Sequence, residues 1–367
     1  MERNRNHVIK NIYYMLSYAF VELKHKDYEK VAADDFEAVA DLFAAILARG
    51  IARQLKQGIS RQYISRTEEL RVLRGKIALP ETIQTIAKGR NTVTCENDTL
   101  SENNLLNQIL KTASLKLIRY GRIRNKKYLL QLKKVLIYFA SVSTIADTDS
   151  IPWSSIRFQR NNQSYKILIY LCQLILKGKI QSTEPGDFLL QSFVDGQEIH
   201  SLYERFIREY YRVECPYLKP VGKYVNWALD DDEDRLLPAM KTDVMLENNG
   251  RMLIIDAKYY SNNLQLNGLF GRASNDKDLR QTIRSAHLYQ IFSYVKNMAE
   301  NQKRNGNSCS VAGMLLYAAT EQEMPLDIRY QMSGNPIGIR TLDLNCDFKE
   351  IQETLRQIVE DGGLLPA

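Results

Sequence analysis

The chain has 367 residues, 44% of them hydrophobic and 25% charged, so it is long enough to bury a core and to form two domains. This balance excludes the disordered and fibrous classes. Lysine and arginine number 50 against 43 acidic residues, and this basic excess is compatible with a polyanionic partner but is common in ordinary proteins.

The opening residues and the apolar runs give no sign of export. The opening residues, MERNRNHVIK, are too polar for a signal peptide, and the apolar run at 167–176 is half the roughly 20 residues that a membrane helix needs. Five scattered cysteines without a C-x-x-C pair favour reduced thiols over disulfides or a zinc site. The four histidines are also scattered, so a histidine metal cluster is not expected. We therefore expect a cytoplasmic protein with no membrane span.

The first half of the chain is predicted to be mainly helical. Apolar residues recur at helical spacing in five segments, at 9–23, 34–55, 105–119, 128–140 and 165–176. Between residues 60 and 94 the pattern shortens around Arg74-Gly75-Lys76 and Leu79-Pro80, which predicts a small β element.

The stretch at 181–198 contains Pro185-Gly186 and Gly196 and is the best candidate for a domain boundary. We therefore predict domains at 1–190 and 191–367. In the second, alternating patterns predict an α/β arrangement, with helices at 199–212, 279–297 and 348–360 and strands at 217–229, 241–247, 251–259, 310–319 and on to 344.

The most informative segment runs from Thr242 to Lys258 and reads TDVMLENNGRMLIIDAK. Its Asn249-Gly250 pair predicts a type I′ hairpin turn. Residues facing each other across that turn have numbers that sum to 499, so Asp243 faces Asp256. Opposed residues have Cβ atoms about 4.5–5.5 Å apart and like charges there repel, so we expect a hard divalent cation such as Mg²⁺ to compensate.

Side chains alternate along a strand, so Lys258 shares a face with Asp256. A metal beside an ammonium group suits phosphodiester hydrolysis, because the metal activates water and offsets developing charge. The alternative is an exposed strand pair in which the acids and the lysine occur by chance.

The pattern D(x12)DAK resembles the catalytic core of the PD-(D/E)xK nucleases. The resemblance implies that Asp243 and Asp256 bind the metal and that Lys258 is the catalytic lysine. The usual proline before the first acid is absent, since Lys241 and Thr242 precede Asp243.

Three helical residues extend the resemblance. Glu204 matches an acid that many members carry on the helix before the core hairpin, although a solvated helix carboxylate is nearly as good an explanation. Gln290 and Tyr294 match a Q-x-x-x-Y pattern on the following helix and share a face at i, i+4. Ordinary helix packing is the alternative for both.

Segments spread along the chain are similar to the McrC family, the nuclease subunits of McrBC modification-dependent restriction systems. They read NIYYMLSYAF, LRGKIALPETI, ENDTLSENNLLNQILK, LLPAMKTDVML, LIIDAKYY and LYQIFSYV. The resemblance implies a restriction-endonuclease-like α/β domain preceded by a mainly helical α+β domain that docks on a hexamer of an McrB-like AAA+ GTPase, stimulates GTP hydrolysis, and directs cleavage to DNA carrying modified cytosine. The chain has no G-x-x-x-x-G-K-[ST] loop, so any nucleotide motor must be a partner.

Residues 103–146 contain nine basic residues and no acid, a pattern that favours contact with a DNA backbone. The candidates for this contact are Arg122, Arg124, Lys126 and Lys127. Solvated helix faces or a surface for an acidic protein are the alternatives. The acidic run 230–234 is interpreted as a solvated loop, and 60–94 as a projection towards the GTPase.

Three functions remain open from the sequence. The main hypothesis is a Mg²⁺-dependent DNA endonuclease subunit that works with its GTPase. The second is an adaptor that activates the GTPase without cutting. The third is a standalone repair nuclease, which the long first half disfavours.

Overall fold

The structure is a computed structural model that describes residues 2–20, 23, 34, 36–159, 162–177, 197–231, 233–259, 264–268, 279–319 and 325–366. The chain forms two compact units. We call residues 1–39 with 182–367 the sheet unit, and residues 40–181 the helical unit. The predicted ranges 1–190 and 191–367 divide the chain differently, because the first helix packs with the C-terminal half. Most of the predicted boundary segment, 178–196, lies outside the described residues.

The first helix, α1 (Glu2–Ala19), packs against the C-terminal part of the chain. It ends four residues before the end of the predicted helix 9–23. Asn11 Nδ2 donates to the carbonyl oxygens of Leu344 and Cys346, each at 2.9 Å. The Tyr14 ring stacks on Phe348 with centroids 4.2 Å apart. These contacts fix α1 to the C-terminal part of the sheet unit.

The described residues of the helical unit form five α-helices and a three-stranded antiparallel sheet. Its elements are α2 (Val39–Gln57), β1 (Gln62–Leu70), β2 (Lys76–Ile77), α3 (Leu79–Ala87), β3 (Val93–Ser101), α4 (Leu105–Tyr120), α5 (Lys126–Leu136) and α6 (Tyr165–Lys177). The strand order is β1-β3-β2, so the predicted β element at 60–94 is present. It also contains α3, which the sequence did not predict, because Leu79-Pro80 suggested a turn although proline is well tolerated in the first turn of a helix.

The sheet unit is a mixed α/β structure, as predicted. Its described elements after α1 are α7 (Gln197–Glu214), β4 (Tyr224–Val225), β5 (Met240–Lys241), β6 (Val244–Asn248), β7 (Arg251–Tyr259), β8 (Leu264–Gly268), β9 (Leu279–Ile283), α8 (Ser285–Arg304), β10 (Ser310–Ala319), β11 (Asp327–Met332), β12 (Asn335–Asp343) and α9 (Phe348–Asp361). The main sheet has the order β11-β12-β10-β7-β6. β7, β10 and β12 are parallel, and β6 and β11 are antiparallel edge strands.

One face of this sheet is covered by α8. Ile254, Leu315, Ile291 and Val295 form one buried cluster between the sheet and the helix. Gly313 on β10 permits the close approach, because a Cβ there would lie 2.6 Å from a Val295 methyl carbon. Since side chains alternate along β7, residues 256 and 258 point to this same face.

Two predictions of secondary structure were wrong in part. Residues 279–283 form strand β9 paired with β8, whereas a helix was predicted from 279. The spacing of Leu279 and Ile283 matches one helical turn, but antiparallel pairing with β8 overrides it. The predicted strand at 217–229 is reduced to β4. Within the described residues, no helix combines the length and apolar character needed to cross a bilayer.

Candidate active site beside the β6–β7 hairpin

The β6–β7 hairpin has the predicted register. Its five pairs run from Val244↔Ile255 to Asn248↔Arg251. Asn249 and Gly250 have φ angles of 50° and 68°, as a type I′ turn requires. The turn chemistry therefore fixes which residues lie beside each other at the far end of the hairpin.

Two acidic side chains meet at that end. Asp243 directly precedes β6, and its Oδ2 accepts the backbone N–H of Ala257 at 3.0 Å. Asp256, on β7, is 1% exposed. Burial raises the pKa of both carboxyl groups, and the charge of Asp256 raises that of Asp243 further. A half-buried and a buried acid that repel each other form a site where a cation is favoured.

Lys258 partly compensates this charge. Its Nζ lies 2.8 Å from Asp256 Oδ2 and donates to Gln290 Oε1 at 3.1 Å. Gln290 Nε2 in turn donates to the Tyr294 hydroxyl at 2.9 Å. The ammonium group is thus held between the sheet and α8, and the predicted pair Gln290 and Tyr294 braces it.

Helix α7 adds a third carboxyl group. Burial raises the pKa of Glu204, the charge of Asp256 raises it further, and Lys258 opposes the shift. One turn later, Arg208 Nη1 donates to the Asp243 carbonyl oxygen at 3.1 Å. All six residues proposed from the sequence as catalytic therefore lie in one electrostatic environment.

Sequence reasoning missed a group of residues around Lys258. His287 Nδ1 and the Tyr317 hydroxyl are 2.9 Å apart. Burial lowers the pKa of His287 to about 4, and Lys258 and Arg284 contribute. Burial and then Lys258 also lower the pKa of His200. A helical spacing signal was available, because His287 precedes Gln290 by three residues and His200 precedes Glu204 by four.

The donor set suits a hard cation bound largely through solvent and substrate. Mg²⁺ binds proteins through one or two carboxylates and keeps several waters or phosphate oxygens, and the carboxyl groups of Asp243 and Asp256 meet that need. Among the described residues, no group of three or more His, Cys, Asp or Glu side chains is arranged to hold a metal by itself. The described residues therefore do not form a site in which protein side chains supply every ligand of the metal.

The four residues proposed for DNA contact lie in the helical unit, at or before the start of α5. Arg122, Arg124, Lys126 and Lys127 are exposed. Asp41 Oδ1 anchors this turn by accepting the backbone N–H of Arg124 at 2.9 Å.

Not all of the predicted basic patch faces solvent. Lys111 Nζ donates to the carbonyl oxygens of Phe139 and Val142, at 2.9 and 2.6 Å, and Lys116 Nζ donates to that of Leu176 at 3.2 Å. These two half-buried lysines are tied to backbone carbonyls of the helical unit, whereas the four candidates above are exposed.

Comparisons with known proteins cover nearly the whole chain. The family model described as "McrBC 5-methylcytosine restriction system component" matches residues 2–318. The type IV methyl-directed restriction enzyme EcoKMcrBC of Escherichia coli strain K12 is 25% identical over 360 residues, which cover 96% of this chain and 97% of the relative.

Two solved assemblies from Thermococcus gammatolerans are also similar. One is a refined half-complex from a tetradecameric assembly of McrB AAA+ hexamers with bound McrC; a chain in it aligns with a TM-score of 0.49 and 17% identity, over 94% of this chain and 75% of that one. A chain of the McrBC complex aligns with a TM-score of 0.41 and 22% identity, over 55% of this chain and 57% of that one. On the extent of the family match, the chain belongs to the family of McrBC 5-methylcytosine restriction system components.

Proposed function

We propose that this chain is the Mg²⁺-dependent endodeoxyribonuclease subunit of a GTP-dependent restriction complex that acts on DNA carrying modified cytosine. The observation that carries the proposal is the pair of the half-buried Asp243 and the buried Asp256, with Lys258 Nζ 2.8 Å from Asp256, in a chain of the McrBC family. In this proposal the sheet unit is a PD-(D/E)xK nuclease domain.

The residues divide the chemistry between them. Asp243 and Asp256 would hold the Mg²⁺ ion, which when bound lowers the pKa of water and offsets negative charge on the phosphate. Lys258, braced by Gln290, presents a fixed positive charge to the phosphodiester and stabilises the charge that develops there. Glu204, whose pKa burial raises, is placed to hold a proton beside these groups.

The proposed partner is an McrB-like AAA+ GTPase hexamer. The chain lacks a phosphate-binding P-loop of its own, and the family is named for a system of components. In the segment 60–94, α3 exposes Leu79, Ile83 and Ile86 by 64, 65 and 62%. These side chains share one helix face at i, i+4 and i+7, and we propose this apolar face as the contact with the GTPase.

The test combines the purified chain, its cognate GTPase, GTP, Mg²⁺ and methylated or unmethylated plasmid. Asp256→Ala is expected to reduce cleavage by about a hundredfold or more and to leave GTP hydrolysis stimulated. Glu247→Ala is the matched control, because Glu247 is an exposed carboxylate on the same hairpin. Cleavage by Asp256→Ala at the wild-type rate would refute the assigned site.

The second candidate function is an adaptor that activates the GTPase without cutting, which the exposed apolar face of α3 favours. It predicts stimulated GTP hydrolysis with no cleavage of any DNA by the wild-type chain. Cleavage without a partner would instead support a standalone nuclease.

A further inference from the structure

A buried polar pair lies beside Lys258 and takes no part in the chemistry described above. His287, in the first turn of α8, is 8% exposed, and Tyr317, on β10, is fully buried. His287 Nδ1 and the Tyr317 hydroxyl form a hydrogen bond of 2.9 Å. A buried hydrogen bond between a helix and a strand fixes the relative position of those two elements.

Both members of the pair are adjacent to residues that hold the lysine. In the parallel ladder between β7 and β10, Tyr317 is the direct partner of Lys258. On α8, His287 lies three residues before Gln290 and so on the same helix face. Gln290 Oε1 is the atom that accepts a hydrogen bond from Lys258 Nζ.

We propose that His287 and Tyr317 are positioning residues that set the first turns of α8 against β10, so that Gln290 meets Lys258 at hydrogen-bond distance. The inference rests on the proposed nuclease function only for its kinetic consequence. The positional consequence, a change in how Lys258 is held, stands without it.

The charges around the pair agree with a neutral imidazole. Lys258, Arg284 and His200 all act to lower the pKa of His287, after burial. A neutral ring accepts or donates at Nδ1 according to its tautomer and adds no positive charge beside the lysine. The pair therefore fixes geometry without weakening the attraction between the lysine and a phosphate.

The first test measures the lysine directly. In the full-length chain, limited acetylation with acetic anhydride followed by peptide mass spectrometry gives the labelling rate of Lys258. Tyr317→Phe keeps the buried ring and removes only the hydroxyl, and we expect it to raise that rate at least threefold. Gln290→Ala is expected to have the same effect, because it removes the acceptor itself.

The matched control is Tyr211→Phe. Tyr211 is also fully buried, and its hydroxyl donates to the Leu355 carbonyl oxygen at 2.9 Å. This variant loses a hydrogen bond of the same length between α7 and α9, and its Lys258 labelling is expected to stay at the wild-type rate. Equal labelling in wild type and Tyr317→Phe would overturn the inference whether or not the chain cuts DNA.

The second test uses cleavage by the complete complex. Misplaced catalytic groups cost up to about a hundredfold in rate, so we expect Tyr317→Phe to lower kcat by roughly ten- to a hundredfold with KM for DNA changed less than twofold. Tyr317→Phe and Gln290→Ala should be non-additive, because both act through Lys258. Additive losses would overturn the inference.

Two variants of His287 test whether exposure of Lys258 comes from loss of the hydrogen bond and not from misfolding. Asparagine places a polar atom near the position of Nδ1, so His287→Asn should keep Lys258 protected from acetylation, whereas His287→Leu should not. Equal protection in both variants would contradict a role for the hydrogen bond. A wild-type chain that cuts nothing while Tyr317→Phe unmasks Lys258 would refute the proposed function and leave this inference supported.

Discussion

Asp243 gives a test of the proposed metal site that needs no DNA. Burial, followed by the charges of Asp256 and Glu204, raises the pKa of Asp243 to about 8 from an ordinary 3.8. A carboxyl group whose pKa is raised on folding contributes stability that is complete below its unfolded value and is lost as the pH rises through its folded value. The metal-free protein should therefore lose stability between pH 4 and pH 8.

The magnitude follows from one proton bound by the folded state and released by the unfolded state. The slope is about 1.4 kcal/mol per pH unit, so the free energy of unfolding falls by roughly 2–3 kcal/mol between pH 5 and pH 7 from this group alone. Asp243→Asn removes the titration and keeps an oxygen that accepts the Ala257 N–H. The variant is therefore expected to gain stability over wild type across that interval, by about 2–4 °C in Tm for each kcal/mol.

The assay is thermal unfolding in EDTA at pH 5, 6, 7 and 8, for wild type, Asp243→Asn and the exposed control Glu247→Gln. Added Mg²⁺ at pH 8 should raise the Tm of wild type more than that of Asp243→Asn, because a cation binds the charged carboxylates. A difference in Tm between wild type and Asp243→Asn that does not change with pH would refute the reasoning. The Asp243 carboxyl group would then have the same pKa in the folded and the unfolded state.

Three further predictions concern other parts of the molecule. Gly313→Ala places a Cβ 2.6 Å from an α8 side chain and should lower the free energy of unfolding in urea by about 1–3 kcal/mol. Gly338→Ala is the control, because its Cβ meets a flexible methionine end at 3.2 Å and should lower that free energy less. Equal losses would contradict the close packing of α8. The double variant Lys126→Glu, Lys127→Glu should weaken DNA binding and reduce the slope of log Kd against log salt concentration by about 2. An unchanged slope would show that α5 does not contact DNA. Ile83→Asp should abolish stimulation of the GTPase while the free energy of unfolding changes by less than about 0.5 kcal/mol, and full stimulation would place the contact elsewhere.

The hairpin was predictable because its determinants are local. Asn249 and Gly250 tolerate the positive φ angles of a type I′ turn, and the strand register then follows residue by residue to Asp243 and Asp256. The alternation along β7 placed Lys258 on the same face as Asp256 for the same reason.

The surroundings of Lys258 were not predictable, because they depend on pairing between distant strands. Tyr317 becomes a neighbour of Lys258 only through the parallel β7–β10 ladder, and no local pattern specifies that register. The helix predicted from Leu279 failed because antiparallel pairing with β8 outweighed a spacing that covers only one helical turn. Long-range pairing thus supplied the part of the site that the sequence did not reveal.

The attachment of α1 has a consequence for how the chain is made. Asn11 donates to the carbonyl oxygen of Leu344, which is 333 residues later in the chain. At about 5–20 residues per second, the ribosome needs roughly 17–67 s to synthesise the residues between them. The helical unit is continuous in sequence from 40 to 181 and is complete on the ribosome well before then. The apolar face of α1, with the buried Ile9, Ile12 and Leu16, therefore has no α7 to pack on, its main neighbour in the sheet unit, until more than half of the chain is made. The sheet unit is complete only after the last strand emerges.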